Sequence, residues 1–175
     1  MRLVFPTLEY KEKAIEFIEE FGDSEINGTG ALDSMLGTSG YEAWLAKIIS
    51  DIDIANIAPG RVPSLTYFYV REDDGRIVGM TNIRLRHNEF ILTEAGHIGY
   101  SIRPSERRKG YATSMLRESL RVCALMGIGK VIVTCDTVNT ASARTIQKNG
   151  GVLEAEFYSD TFGTDIQRYV IENQA

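Results

Sequence analysis

The residues best suited to chemistry in this chain lie in one basic segment, residues 100–113. Its cations, Arg103, Arg107, Arg108 and Lys109, fall within seven residues of one another. A strand is predicted to end at Arg103 and a helix to begin near Gly110. The first turn of that helix has unpaired backbone N–H groups and a partial positive charge. A helix start with a glycine that permits close approach favours a phosphate, and the density of cations favours a diphosphate.

A basic loop before a helix has other interpretations, which the residues alone leave open. It is also compatible with a solvated loop, with a localisation-like basic patch and with an ordinary helix start. The P-loop pattern GxxxxGK[ST] and the dinucleotide pattern GxGxxG are both missing from the chain. Nucleotide hydrolysis and NAD binding are therefore not favoured.

The same segment resembles the cofactor-binding signature of the GNAT acyltransferases. Arg107-x-x-Gly110-x-Ala112 matches their (Q/R)xxGx(G/A) motif, which binds the pyrophosphate of acetyl-coenzyme A. The preceding Ile102-Arg-Pro104 resembles the strand end and the proline that introduce this loop in the family.

A second stretch further along the chain supports the resemblance. Asn139-x-x-Ser142, followed by Lys148-Asn-Gly, resembles the downstream strand–helix element of the family, and the similarity extends over about residues 65–158. It implies a GNAT-like fold with acetyl-coenzyme A as cosubstrate and no metal. It also implies transfer of the acetyl group to an amine of a small molecule or peptide, by direct attack in a ternary complex.

The resemblance assigns roles to individual residues. Backbone groups of 108–113 would hold the pyrophosphate, and the main chain of 100–102 would pair with the pantetheine arm, with an N–H near Ile102 as the oxyanion donor. Asn139 would bond the amide arm of the cofactor, with a helix N-cap as its alternative role, and Ser142 also suits the first turn of a helix. The predicted cofactor-binding residues are Tyr100, Ser101, Ile102, Arg107, Arg108, Lys109, Gly110, Tyr111, Ala112, Thr113, Asn139 and Ser142.

The usual catalytic acid of the family is missing. Many members carry a tyrosine four residues after the Ser142 position, where this chain has Ile146. The reaction also needs a base, since an amine of pKa ~10.4 is mostly protonated at neutral pH. Substitute candidates for proton transfer are His97, Glu94 and Tyr158, of which His97 titrates in the useful range. Because of Ile146, a non-catalytic domain that binds or senses acyl-coenzyme A is the alternative function.

The elements that must position these residues follow from the periodicity of the apolar side chains. Amphipathic helices are predicted over 8–21, with Thr7 as N-cap, and over 41–52, with a loop over 22–39 between them. Further helices are predicted over 110–125 and 141–149, and strands over 2–6, 65–71, 76–86, 97–103, 131–133, 152–158 and 167–171.

This order of elements predicts one α/β domain over residues 1–175. The sheet is expected to be mixed and mostly antiparallel, with helices on both faces. Within the domain, residues 1–60 are expected to form a helical flank on the acceptor side, and residues 65–158 the coenzyme A-binding core. The helix that carries Trp44 has a second interpretation as a protein-interaction surface, although one amphipathic helix usually packs in a core.

Composition excludes several classes of protein. The chain has 175 residues, a net charge of −5 and a pI near 5.1, which disfavours a nucleic-acid partner. It has neither a signal-peptide pattern nor an apolar run of membrane-spanning length, so no membrane partner is expected. Cys123 and Cys135 lie in apolar surroundings without metal-ligand spacing, which suits free thiols in the cytoplasm.

Charge is unevenly distributed along the chain. Residues 1–60 contain eleven acidic but only four basic side chains. We interpret this excess either as a solvated helix face or as a mouth that attracts a cationic acceptor. A homodimer formed through unpaired late strands is a further expectation.

Overall fold

Seven strands form two antiparallel sheets in the computed structural model, which describes residues 1–173. The first sheet has the order β1-β2-β3-β4 and consists of β1 (Arg2–Val4), β2 (Ser64–Val70), β3 (Ile77–Arg84) and β4 (Ile98–Ile102). The second has the order β5-β7-β6 and consists of β5 (Lys130–Asp136), β6 (Val152–Ser159) and β7 (Thr164–Glu172). The turn between β2 and β3 falls at Asp73-Asp-Gly75, between the two predicted strands, and Gly75 adopts a φ of +64°.

Five α-helices accompany the sheets within the same residues. They are α1 (Lys11–Glu19), α2 (Leu32–Leu36), α3 (Gly40–Ser50), α4 (Tyr111–Leu125) and α5 (Thr140–Lys148). No helix in the described part of the chain combines the length and apolarity needed to cross a membrane.

Helices cover both faces of the first sheet. Adjacent residues of a strand point to opposite faces, and β2 shows this clearly. Phe68 packs with Phe17 of α1 and Trp44 of α3, whereas Tyr69 packs with Met115 of α4. This arrangement confirms the predicted single α/β domain with mostly antiparallel strands.

The two sheets meet at one point and then separate. The backbone N–H of His97 donates to the Ile132 carbonyl at 2.7 Å, and the Ile132 N–H donates to His97 Nδ1 at 3.0 Å. Beyond this contact, no strand ladder joins β4 to β5 in residues 1–173. The outer edge of β4 is therefore left open from Ile98 onward, and the gap between the strands leads to the basic loop.

The structure differs from the sequence-based expectations in four places. Residues 22–39 are not all loop, because the fully buried Leu32 anchors the short helix α2. Thr7 precedes a 3-10 turn without capping it through its side chain, and α1 begins only at Lys11. The strand pairs described are all antiparallel. The strands also form two sheets rather than one mixed sheet. Trp44 is fully buried and donates to the Thr29 carbonyl at 3.0 Å, so this side chain belongs to the core and not to an interaction surface.

Candidate active site

The loop between β4 and α4 presents a run of unpaired backbone donors. Arg108 and Gly110 both adopt left-handed conformations, with φ of +63° and +81°, which turns successive N–H groups toward the same side. Among residues 1–173, no protein acceptor pairs with the backbone N–H groups of 108–113. A Cβ built on Gly110 meets nothing within 4 Å, so the space before the helix is open. This cradle suits an anionic group such as a diphosphate.

A buried carboxylate holds the loop in this shape. Glu106 is only 3% exposed and accepts hydrogen bonds from Arg71 at 3.1 Å and from Lys109 at 2.8 Å. The hydrogen bond from Lys109 lowers the pKa of the Glu106 carboxyl, with a further contribution from Arg71. The Lys109 ammonium is thus partly committed to the loop itself, which the basic character of the segment did not predict.

Arg103 does not face the phosphate cradle. Its side chain is 1% exposed, lies over the Phe17 ring and donates to Glu16 at 2.8 Å. Arg107 lies over the Phe21 ring and donates through Nε to the Ile102 carbonyl at 3.2 Å. The density of four cations therefore overstated the charge available to a ligand, because two of the guanidinium groups hold the loop against α1.

Arg108 combines backbone strain with an exposed guanidinium, so its replacement should separate stability from binding. We expect Arg108→Gly to raise the free energy of unfolding by up to about 1 kcal/mol, because glycine tolerates a positive φ. The same change should weaken coenzyme A binding about tenfold through the loss of one charge-assisted contact. Chemical denaturation and calorimetric titration measure the two effects. Arg117→Gly, at an exposed position of α4, should instead destabilise the protein and leave the affinity unchanged. Lower stability of Arg108→Gly together with unchanged affinity would contradict this assignment.

The open edge of β4 carries further free donors. In an antiparallel strand, successive N–H groups alternate between the two edges. The Arg103 N–H points inward to the Val78 carbonyl at 2.9 Å, so the N–H groups of Ile102 and Tyr100 point outward into the gap. The Ser101 hydroxyl accepts from the Asn27 N–H at 2.8 Å and thereby ties the loop after α1 to β4. The edge can thus pair with an extended ligand that enters the gap.

A polar cluster lies at the far side of the gap. Tyr100 Oη and Ser142 Oγ are hydrogen-bonded at 2.9 Å, and Cys135 lies beside Ser142. Burial raises the pKa of Tyr100 to about 12, so the phenol keeps its proton at neutral pH. Residue type and strand position alone did not single out this phenol, because its partner lies 42 residues further along the chain.

Asn139 acts as the N-cap of α5. Its Oδ1 accepts from the Ser142 N–H at 3.0 Å, which leaves Nδ2 free to donate to another molecule. Ile146, at the position where the family often has tyrosine, is fully buried with the apolar residues of α4 and β5. The proton donor that this helix supplies in many relatives therefore has no counterpart on α5.

His97 is built into the junction of the two sheets. It is 2% exposed, and its Nδ1 is occupied by the Ile132 N–H. Burial, reinforced by the neighbouring charge of His87, lowers the pKa of His97 to about 4. The ring is thus neutral at pH 7, and its Nδ1 lone pair links β4 to β5.

Protonation of His97 should therefore destabilise the fold. The unfolded chain takes up this proton near pH 6.5 and the folded chain only near pH 4, so the stability that neutral His97 provides is lost as the pH falls between these values. At pH 5 the loss is about 2 kcal/mol. Urea unfolding at pH 7.5 and pH 5 should show this loss in the parent protein. It should be absent in His97→Asn, because the asparagine oxygen accepts the same bond without titrating. An equal loss in both proteins would contradict the assignment.

The other two proton-transfer candidates lie toward the β6–β7 hairpin. Glu94 belongs to a π-helical segment, Ile91–Ala95, and accepts a hydrogen bond from the buried Ser159 hydroxyl. Tyr158 is 60% exposed on β6, where it pairs with Asp165 of β7. The structure does not bring these side chains into the Tyr100–Ser142 cluster.

A cavity of about 500 Å³ lies between the loop after α1, the end of α3 and strand β3. The loop after α1 forms one wall, where Gly28 packs so closely on β4 that an added Cβ would lie 2.4 Å from the Gly99 carbonyl oxygen. The end of α3 forms a second wall, and Asn82 and Arg84 of β3 form the floor. In residues 1–173, His, Cys, Asp and Glu side chains form no group of three or more suited to a metal ion.

Comparisons with known proteins show the family and the fold of the chain. Residues 7–152 match the family model described as an acetyltransferase (GNAT) domain. A search among curated proteins finds no match.

Solved structures with the same fold include three informative neighbours. A GNAT-family acetyltransferase from Streptococcus pneumoniae is 18% identical with a TM-score of 0.65, covering 97% of this chain and 96% of that one. The microcin C7 self-immunity acetyltransferase MccE, in complex with acetyl-CoA and AMP, is 18% identical with a TM-score of 0.70, covering 96% and 89%. The yncA protein from Salmonella typhimurium, solved with its cofactor acetyl-CoA, is 13% identical with a TM-score of 0.65, covering 99% of this chain and 94% of that one.

Proposed function

Because this chain belongs to the GNAT acetyltransferase family, we propose that it transfers the acetyl group of acetyl-coenzyme A to an amine of a small molecule or peptide. The observation that carries the proposal is the run of unpaired N–H groups over 108–113, which lies next to the open edge of β4. An anionic head and an extended arm on one molecule fit these two features together.

The cofactor half of the site is assigned as follows. The N–H groups of 108–113 bind the pyrophosphate, with Arg108 as the exposed cation beside it. The pantetheine arm pairs with the outward N–H groups of Tyr100 and Ile102, and Asn139 donates through Nδ2 to an amide of the arm. Residues 65–158 thus supply the coenzyme A-binding core. Residues 1–60 supply the acceptor side, since they form two walls of the cavity.

The chemistry requires proton transfers at two atoms. The neutral amine attacks the thioester carbonyl carbon, the carbon–sulfur bond breaks, and the amine loses a proton to water. An outward N–H of β4 stabilises the developing oxyanion. The Tyr100 phenol gives its proton to the departing sulfur and recovers one through the Ser142 hydroxyl, in place of the tyrosine that Ile146 replaces. Roles in proton transfer for His97, Glu94 and Tyr158 stay predictions.

Direct attack on the thioester agrees with the state of the cysteines. Both are free thiols, and burial raises the pKa of Cys123 to about 12 and also raises the pKa of Cys135. A thiol that stays protonated is a poor nucleophile, so an acetyl-cysteine intermediate is not favoured. Free thiols also support the proposed cytoplasmic location.

The proposed homodimer would use β6, an edge strand of the second sheet, where Val152 is 69% exposed.

The alternative is a domain that binds or senses acyl-coenzyme A without turnover, which the missing tyrosine at Ile146 suggests. Thiol release from acetyl-coenzyme A in the presence of a panel of amines distinguishes the two functions. We expect amine-dependent thiol release together with an acetylated amine of matching amount. Tight cofactor binding without release for any amine class would support the alternative.

A further inference from the structure

The charges that line the cavity beside β4 differ from those of the flank as a whole. The lining includes the cations Lys47, Arg61 and Arg84 and the acids Asp33 and Asp51. Lys47 is paired with Asp51, so this pair contributes little net charge. The Asp33 carboxylate accepts from the Thr29 hydroxyl at 2.5 Å. The described lining therefore contains two guanidinium groups, those of Arg61 and Arg84, and one carboxylate that is not in an ion pair, that of Asp33.

Arg84 is a partly buried cation without a carboxylate. Its guanidinium donates to the carbonyls of Ala95 at 3.2 Å and Gly96 at 3.0 Å, and no acid lies within salt-bridge distance among residues 1–173. Arg61, likewise on the lining, has no ion pair in the part of the chain described. Burial lowers the pKa of Arg84, and the positive charge of Arg61 lowers it further, so the two cations repel each other. An anion between them would relieve both effects.

The acidic side chains of residues 1–60 do not cancel these cations. Glu16 is bonded to Arg103, and Glu20 lies 3.3 Å from Arg76. Glu42 is bonded to Lys11 at 2.8 Å. Glu16 and Glu20 are thus neutralised by cations outside the flank and away from the cavity.

The cavity lies beside the first sheet, near the start of β4. Asn82 and Arg84 share a strand face with Met80, which packs against α1 and α3, whereas Thr81 faces Ser119 of α4. The cavity therefore lies on the face of the first sheet opposite to α4, the helix that follows the cofactor loop. The Arg84 N–H donates to the His97 carbonyl, three residues before Tyr100, which corresponds to about 10 Å along the strand.

We propose that this cavity binds the carboxylate or phosphate of an anionic amine acceptor through the guanidinium groups of Arg84 and Arg61. Guanidinium groups pair with both oxyanions through two parallel hydrogen bonds. We expect the acceptor to place its oxyanion in the cavity and its amine at the open edge of β4. The inference rests on the proposed acetyl transfer, whose acceptor it specifies.

Matched pairs of amines test the inference. γ-Aminobutyrate is compared with butylamine, and phosphoethanolamine with ethanolamine, so that each pair differs in the oxyanion and the two pairs distinguish carboxylate from phosphate. We expect kcat/KM to favour the anionic member of at least one pair by about tenfold or more. Arg84→Gln should remove this preference, so that the two members of each pair are acetylated with similar kcat/KM. Arg86→Gln, an exposed position outside the cavity, should change neither rate.

Two outcomes separate failure of this inference from failure of acetyl transfer. If amines are acetylated without a preference for the anionic member, the inference is overturned while the transfer reaction stands. The same holds if the preference survives in both Arg84→Gln and Arg61→Gln. If no amine is acetylated, succinate and inorganic phosphate are titrated into protein saturated with coenzyme A, which occupies the loop 108–113. Binding that is lost in Arg61→Gln and Arg84→Gln then supports the cavity assignment, and the absence of binding overturns it.

Discussion

Gly110→Trp is expected to abolish measurable binding of coenzyme A, with a loss of affinity of at least about 100-fold, or ~3 kcal/mol. The space in front of Gly110 is open, and the free N–H groups of 108–113 converge on it. An indole there would occupy the volume of the phosphate and block its approach to these donors. Titration calorimetry with coenzyme A measures the effect directly.

A control variant must separate the effect of replacing a glycine by tryptophan from the effect of blocking the loop. Gly127 lies just beyond the other end of α4, has a φ of +76° and likewise has nothing within 4 Å of an added Cβ. Gly127→Trp therefore imposes a similar backbone strain and a similar exposed indole without touching the loop. We expect it to lose stability comparably and to bind coenzyme A normally. Unchanged affinity in a folded Gly110→Trp protein would refute the assignment of the phosphate site.

Tyr100→Phe is expected to lower kcat by about 100-fold while changing the affinity for acetyl-coenzyme A much less. The backbone of residue 100, which pairs with the cofactor arm in our proposal, is unaffected by this change. Only the phenol that protonates the departing sulfur is removed. Single-turnover rates and calorimetric titration separate the two quantities.

A second buried phenol provides the control. The Tyr41 hydroxyl donates to the Thr7 carbonyl at 2.7 Å, within the core formed by α1, α2 and α3. Tyr41→Phe should destabilise the protein by about 1 kcal/mol, as Tyr100→Phe should, and leave kcat unchanged. If Tyr100→Phe is stable and fully active, the proton comes from another group. The predicted candidates His97, Glu94 and Tyr158 would then be tested in turn.

Much of the fold was predictable because its elements have strong local patterns. The aromatic run of β2, the Asp73-Asp-Gly75 turn and the apolar stripe of α4 each indicate one structure, and each is present. The helix α2 was missed because a single buried residue, Leu32, anchors five residues that otherwise have loop composition. The division into two sheets depends on where β4 and β5 separate, and strand patterns contain no information on that.

The site was predicted unevenly for a related reason. Backbone donors such as those of 108–113 follow from a glycine before a helix, which is a local feature of sequence. Side-chain partners do not, because Arg103 meets Glu16, and Tyr100 meets Ser142, only after the chain has folded. The same limit applies to Arg84, whose lack of an acidic partner is visible only in three dimensions. Glu106, an acidic residue within the basic loop, is a local signal of partial neutralisation, but no prediction was drawn from it.

The most direct test of the central claim follows the acetyl group through one turnover. The protein is mixed with a stoichiometric amount of isotopically labelled acetyl-coenzyme A and an excess of an accepted amine. The masses of the amine, of coenzyme A and of the protein are then followed over time by mass spectrometry. Our account predicts that the label appears on the amine, with free coenzyme A in equal amount and an unlabelled protein at every time point. Label on Cys123 or Cys135 before it reaches the amine, or label that stays on coenzyme A, would contradict it.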